Sequence, residues 1–233
     1  MDPAIQVRDL QFTYPDGTRA LAGIHLSIAA GDAVALLGPN GSGKTTLALH
    51  LNGLLSGTGE IRVCGERVEK KNLPRIRQKV GLVFQEADDQ LFMPTVHEDV
   101  CFGPLNLGLP AEEADRAAEA ALKRVGLEGA GSRAPYHLSA GEKRRAALAG
   151  VLAMNPEILV LDEPTTFLDP PGRASLIALL RSLRQTKMII THDLDLAREL
   201  CLRALFLERG RVVCDGPVDQ VIARVGWELR AHT

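Results

Sequence analysis

Gly38-Pro39-Asn40-Gly41-Ser42-Gly43-Lys44-Thr45-Thr46 follows directly on the apolar run Ala33-Val34-Ala35-Leu36-Leu37 and leads into Leu47-Ala48-Leu49. The apolar run reads as a buried strand and the segment behind the loop as the opening of a helix. Strand, loop and helix are the context that separates the spacing Gly-x-x-x-x-Gly-Lys-Thr from an ordinary glycine-rich turn. The glycines let backbone N–H groups turn inward around phosphate oxygens, and the helix dipole adds to the same attraction. Lys44 places a point charge on the outer phosphates, and the Thr45 hydroxyl is a magnesium ligand. The stretch therefore makes Gly38, Asn40, Gly41, Ser42, Gly43, Lys44, Thr45 and Thr46 the nucleotide-contacting set, with a nucleoside triphosphate and Mg2+ as the expected ligands.

The rest of the composition narrows the class of protein. A chain of 233 residues suits one domain, or one with sub-lobes. The net charge of -2 carries no general electrostatic footprint for nucleic acid, so no nucleic-acid partner is expected. Cys64, Cys101, Cys201 and Cys214 lie far apart with no Cys-x-x-Cys pair, which points to reduced thiols rather than a disulfide framework or a zinc site. No apolar run approaches the ~20 residues needed to span a bilayer, so any membrane association comes through a partner and a cytosolic setting is expected.

Outward from the loop, Ile5 to Ile28 alternates like strands broken at Pro15-Asp16-Gly17, and Glu60-Ile61-Arg62-Val63 continues the pattern, giving an antiparallel lobe. Val80-Gly81-Leu82-Val83-Phe84, Ile158-Leu159-Val160-Leu161 and Met188-Ile189-Ile190 are short β-rich runs separated by helical segments. They read as a mostly parallel sheet, so the fold class is an α/β P-loop nucleoside triphosphatase. Pro110 precedes a helix in which Ala114, Ala118, Ala121 or Leu122, and Val125 make one apolar face, ending at Gly126. We place it in an inserted helical sub-lobe at about 86–155 within a single domain spanning 1–233. Ala204 to Leu207 and Arg211 to Val213 flank Glu208-Arg209-Gly210 as a hairpin.

Ile158 to Leu161 delivers Asp162 and Glu163 to the carboxyl end of a strand, where open α/β sheets place their ligands. Asp162 reads as a magnesium ligand and Glu163 as the base that orients and deprotonates the attacking water. Ser139 with Glu142 three residues on is a capping box that opens a helix running on to Met154. Its hydroxyl, the Gly141 amide and the helix N-terminus also make an anion site. One P-loop does not need two such sites around one phosphate, so this one is expected to serve a neighbouring subunit's nucleotide.

These residues together resemble the ATP-binding cassette (ABC) ATPases over essentially the whole chain, Leu138-Ser139-Ala140-Gly141-Glu142 being similar to their signature motif. The resemblance implies that two cassettes close head to tail, with Ser139, Gly141 and Glu142 of one covering ATP on the P-loop of the other. It also implies that Gln85 senses magnesium and water, that Asp169 contacts the dimer partner, that His192 contacts the γ-phosphate, and that Tyr14 stacks on adenine. His25, His50, His97 and His137 have no such partners in sequence and read as structural.

Val83 to Phe92, Glu98-Asp99-Val100 with Phe102 to Gly108, and Thr191 to Ala197 resemble the energy-coupling-factor transporter ATPases, closest to the cobalt and nickel importers. That resemblance implies docking of Asp88, Asp89 and Gln90 on integral membrane subunits, a second ATPase subunit with a homodimer favoured, and a place on the cytoplasmic face of the membrane. A vitamin-type heterodimer and a soluble cassette protein stay open as alternatives. Ala87, where proline is usual, Ala140, where glycine is common, and Phe167, where a small residue is usual, depart from the pattern without removing a catalytic group.

Overall fold

Pro15-Asp16-Gly17 turns the chain between β1 (Ile5–Thr13) and β2 (Arg19–Ile28). The Asp16 carboxylate accepts from the Thr18 amide at 2.9 Å, and Gly17 takes the left-handed conformation the turn requires. The structure, a computed structural model, describes residues 3–227. The chain continues through β3 (Ala33–Leu37), α1 (Lys44–Leu51), β4 (Thr58–Val63), β5 (Glu66–Arg67), α2 (Leu73–Lys79) and β6 (Val80–Val83). Three helices follow, α3 (Val96–Asn106), α4 (Ala111–Arg124) and α5 (Ala140–Ala153). Then come β7 (Ile158–Asp162), α6 (Pro170–Ser182), β8 (Thr186–Ile190), α7 (Leu194–Leu200), β9 (Arg203–Glu208), β10 (Arg211–Pro217) and α8 (Val218–Val225).

Two sheets result. One is antiparallel in the order β2-β1-β4-β5, the lobe expected from the N-terminal alternation. The other runs β10-β9-β3-β8-β7-β6 and is parallel throughout except for the β9–β10 hairpin. Arg209 and Gly210 both have positive φ there, the two-residue turn that matches strand twist.

Strand parity sorts the parallel sheet into two layers. Val34, Leu36, Ile158, Val160, Met188 and Ile190 face the antiparallel lobe and α1. Ala35, Leu37, Leu159, Leu161 and Ile189 face α5, α6 and the rest of the helical side. Because side chains alternate along a strand, Asp162 falls on the face of Ile158 and Val160, the α1 face. This parity delivers Asp162 to the P-loop.

α3, α4 and α5 pack on one another. The buried stripe of α4 is Ala114, Ala118, Ala121 and Leu122, as its spacing predicts. α3 is not legible as a helix in the sequence because Gly103-Pro104 lies inside it. Gly103 is there for packing: a Cβ would sit 2.8 Å from the Met154 side chain. A Thr95–Glu98 capping box starts the helix, and the Ser139–Glu142 box starts α5 as expected.

Candidate active site

The loop between β3 and α1 is held by three glycines in positive φ, Gly38, Gly41 and Gly43. A Cβ on Gly38 would collide with the Leu207 carbonyl, and one on Gly43 would meet the Ala20 carbonyl at 2.5 Å. The glycines are thus required both for backbone shape and for close approach to neighbouring strands. Lys44 is buried, and its ammonium donates to the carbonyls of Gly38 at 2.8 Å and Pro39 at 3.0 Å. Burial pushes its pKa down, against the pull of Glu163 and Asp162. The Ser42 hydroxyl is buried without a hydrogen-bond partner. A bound phosphate would supply both the acceptor Ser42 lacks and the counter-charge for Lys44.

Thr45 Oγ1 donates to Asp162 Oδ2 at 2.7 Å across the α1–β7 junction. Two oxygen donors at that separation fit adjacent positions of a magnesium octahedron, whose edges are about 3 Å. Burial raises the Asp162 pKa first of all, with Thr45 and Lys44 opposing it, so a divalent cation here would restore the ionised carboxylate. Gln85 lines the same cleft from the end of β6.

Glu163 leaves β7 with φ of +46°, a conformation that a glutamate adopts only when its surroundings hold it there. Its amide donates to the Ile190 carbonyl at 2.9 Å. Oε2 accepts from Thr191 Oγ1 at 3.2 Å and from the His192 amide at 3.4 Å, while Oε1 lies 2.9 Å from His192 Nδ1. Glu163 and His192, 29 residues apart by number, are therefore one hydrogen-bonded unit at adjacent strand ends.

Tyr14, Gly38, Asn40, Gly41, Gly43, Lys44, Thr45, Thr46, Gln85, Asp162, Glu163 and His192 line a single cleft of about 610 Å³, within the range of small-ligand sites. The Tyr14 hydroxyl is 3.0 Å from Thr46 Oγ1 and its ring packs edge-on against Phe12, which leaves Tyr14 at the rim of the P-loop. Trp227 also lines the cleft, its indole edge-on to Phe206. Nothing near it in sequence marks it as a site residue, since only the tertiary fold carries α8 there.

Ser139, Gly141 and Asp169 are not brought to this cleft. With Phe167 and Leu168 they line a second one of about 470 Å³. Glu142 lines neither cleft: Oε2 accepts from the Ser139 amide and hydroxyl and Oε1 from Arg133. Those donors hold its pKa down at about 2. Glu142 thus braces the cap that sets Ser139 and Gly141 at the second cleft. Phe167, 74% exposed with φ of +64°, stands at the mouth of the second cleft.

Asp88, Asp89 and Gln90 differ in setting. Asp89 is exposed, and Asp88 pairs with Lys143 at 2.7 Å. Gln90 accepts from the Phe84 amide at 2.8 Å and donates to the Leu82 carbonyl at 3.1 Å, so its amide braces the loop while the residue lines one groove with Asp89 and Phe92. Arg144 went unread in the sequence because, within Lys143-Arg144-Arg145, it looks like one more solvated charge at a helix start. Only 5% exposed, it donates to the carbonyls of Phe84, Gln85 and Thr166, fastening α5 to the loops after β6 and β7.

A glycine-rich loop with a buried lysine at a helix start, facing a pair of carboxylates at the carboxyl end of a parallel strand, defines a P-loop nucleoside triphosphatase. A family model for ABC transporters matches residues 21–166. The chain is 57% identical over 220 residues to a putative ABC transporter ATP-binding protein of Gloeobacter violaceus, covering 93% of this chain and 90% of the relative. It is 51% identical over 218 residues to an energy-coupling factor transporter ATP-binding protein of Methanothermobacter thermautotrophicus, covering 91% and 70%. A CbiO1 protein of Clostridium perfringens, part of the CbiONQ ABC transporter complex, matches with a TM-score of 0.85 at 38% identity, covering 99% of this chain and 94% of that one. A dimeric ATP-binding cassette in a post-hydrolysis state with ADP and phosphate matches at 0.82 and 30% identity, covering 92% and 98%. The chain belongs to the ABC transporter family and is an ATPase of that family.

Proposed function

We propose that this chain is the ATP-hydrolysing subunit of an energy-coupling-factor type importer for cobalt or nickel ions, working as a homodimer on the cytoplasmic face of a membrane. The observation that carries the reading is the separation of the two clefts: Lys44, Asp162, Glu163 and His192 line one, and Ser139, Gly141 and Asp169 line the other. A second copy turned head to tail would set the signature cleft of one chain over the P-loop cleft of its mate. The loop and α3 segments similar to cobalt and nickel importers, and the likeness to a component of a CbiONQ transporter, support the solute class.

Within such a site Lys44, freed from its loop carbonyls, would meet the outer phosphates. Thr45, Asp162 and Gln85 would hold magnesium, which supplies charge neutralisation on the phosphates. Glu163 would take the proton of the attacking water as its oxygen bonds to the γ-phosphorus and ADP leaves. His192, fixed by Glu163, would bond the γ-phosphate. Closure would reach the membrane subunits through a groove of about 320 Å³ lined by Leu54, Asp89, Phe92 and Phe102, where exposed apolar rings lie beside an acidic residue. No described helix is long and apolar enough to cross a membrane, so the path for the solute is assigned to those subunits.

Two inactive variants test the pairing. Lys44→Ala disables the cradle. Gly141→Asp disables the lid, and its added Cβ meets only Leu168 at an ordinary 3.6 Å, so the chain still folds. Mixed one to one, the two are expected to recover about a quarter of wild-type turnover, because half of the dimers are mixed and each of those holds one intact composite site. No recovery in a mixture that exchanges subunits would refute the shared site. For the importer reading, the chain should co-purify from detergent-solubilised membranes with integral subunits, and recovery without any would overturn it.

A further inference from the structure

A cluster of potential metal ligands lies away from the nucleotide, in the helical layer. His97 and Cys101 are one turn apart on α3, so both project from the same face. Asp115 reaches them from the first turns of α4. Cys101 Sγ is 3.6 Å from Asp115 Oδ1 and 3.6 and 3.8 Å from His97 Nδ1 and Nε2, and Nε2 is 3.8 Å from the same carboxylate oxygen. A tetrahedral cation bonded to one sulfur, one nitrogen and one oxygen at ordinary zinc bond lengths sets ligand-to-ligand edges of about 3.3–3.6 Å. The three atoms lie within a few tenths of an ångström of that triangle.

We propose that His97, Cys101 and Asp115 form a binding site for a divalent cation of the zinc, cobalt or nickel class, which clamps α3 to α4. A thiolate and an imidazole in one set select borderline-soft transition metals over magnesium or calcium. The site is distinct from the nucleotide's oxygen-lined cation site and independent of the transported solute. Its scaffold is preset. The Thr95–Glu98 box fixes the first turn of α3, and the His97 amide donates to the Gly131 carbonyl at 2.9 Å. Cys101 is buried at 4% exposure, whereas the His97 and Asp115 side chains are 33% and 58% exposed, so a cation enters from their side and reaches the thiol last. His97 also borders a cleft of about 450 Å³ with Glu119, Lys123 and Glu128, through which water reaches its ring. Asp115, Glu119 and Glu98 add to burial in pushing the thiol up to about 11, and a cation would relieve that crowding of negative charge by displacing the proton. The cysteines read from sequence as isolated thiols because Asp115 and Cys101 are neighbours only after α4 folds back along α3.

The test uses untagged, full-length protein stripped with chelator and titrated with Co2+ and with Zn2+ against a chromogenic competitor, in the presence of excess Mg2+. One equivalent should bind, with the near-ultraviolet thiolate-to-cobalt band and visible absorption of a tetrahedral site. Cys101→Ser should abolish the band. Asp115→Asn, at an exposed position that leaves folding intact, should weaken binding at least about tenfold, judging from the 10–100-fold that loss of a mere outer-shell partner costs. His97→Gln should do the same, with circular dichroism confirming the helices. A band that persists in Cys101→Ser, affinity unchanged in Asp115→Asn, or no stoichiometric binding by the wild-type chain would overturn the proposal.

Discussion

Replacing Glu163 by glutamine removes a charge and a proton acceptor while nearly preserving shape, and the structure dictates how the amide must sit. Oε2 accepts from two donors, Thr191 Oγ1 and the His192 amide, so the amide oxygen stays at that position. The new NH2 group then faces His192 Nδ1, 2.9 Å away in the parent protein. Nδ1 must become the acceptor, and the imidazole proton moves to Nε2. The fold keeps every other contact, so stability should change by no more than about 1 kcal/mol. Loss of the general base should lower turnover about 10²-fold or more, a barrier increase of about 2.7 kcal/mol. Phosphate release at saturating Mg-ATP measures the rate, nucleotide binding measured alongside should be retained, and 15N spectra of the histidine ring report the tautomer. Turnover within threefold of wild type would remove Glu163 from the base role. A ring still protonated at Nδ1 would refute the hydrogen-bond argument on which the positioning of His192 rests.

Two further outcomes follow from single residues. Arg144→Met should cost about 3 kcal/mol in denaturant unfolding, because three loop carbonyls lose a charged donor. Arg144→Lys should recover less than half of this, since one ammonium cannot fork to carbonyls on two loops, and full recovery would count against the bracing role. The Glu142 carboxyl is held at about 2 instead of its ordinary 4.5, so its stabilisation is complete above pH 4.5 and is lost as pH falls toward 2. Its partly exposed setting limits that contribution to about 1 kcal/mol. The stability gap between wild type and Glu142→Gln in urea should close across that window, and a gap that instead widened on acidification would contradict the assignment.

Local chemistry was legible wherever a residue's role depends on its immediate neighbours in the chain. The P-loop glycines, the capping box at Ser139, the hairpin turn at Arg209-Gly210 and the alanine stripe of α4 could all be read by spacing alone. α3 could not, because Gly103-Pro104 imitates a break and the reason for that glycine, Met154 of α5, lies elsewhere in the chain. Gln90 was grouped with Asp88 and Asp89 by resemblance alone. Its two inward hydrogen bonds exist only once the loop returns to Leu82 and Phe84. Glu142 was legible as the capping-box partner of Ser139, but the hold of Arg133 on its other oxygen appears only in the fold.

By itself the amino-acid order determined the class of chemistry: a cradle for phosphate, a pair of carboxylates at a strand end, and a second capped helix start at Ser139. Those are short-range patterns, set by backbone geometry and side-chain period over a few residues. The tertiary structure alone decided which groups act together. Strand parity across the parallel sheet carried Asp162 to Thr45, the register of β7 beside β8 joined Glu163 to His192, and the packing of α3 on α4 assembled His97, Cys101 and Asp115. Each of these meetings spans a long stretch of chain or an inter-element contact, and its partners are chosen by burial of apolar faces that no local pattern encodes.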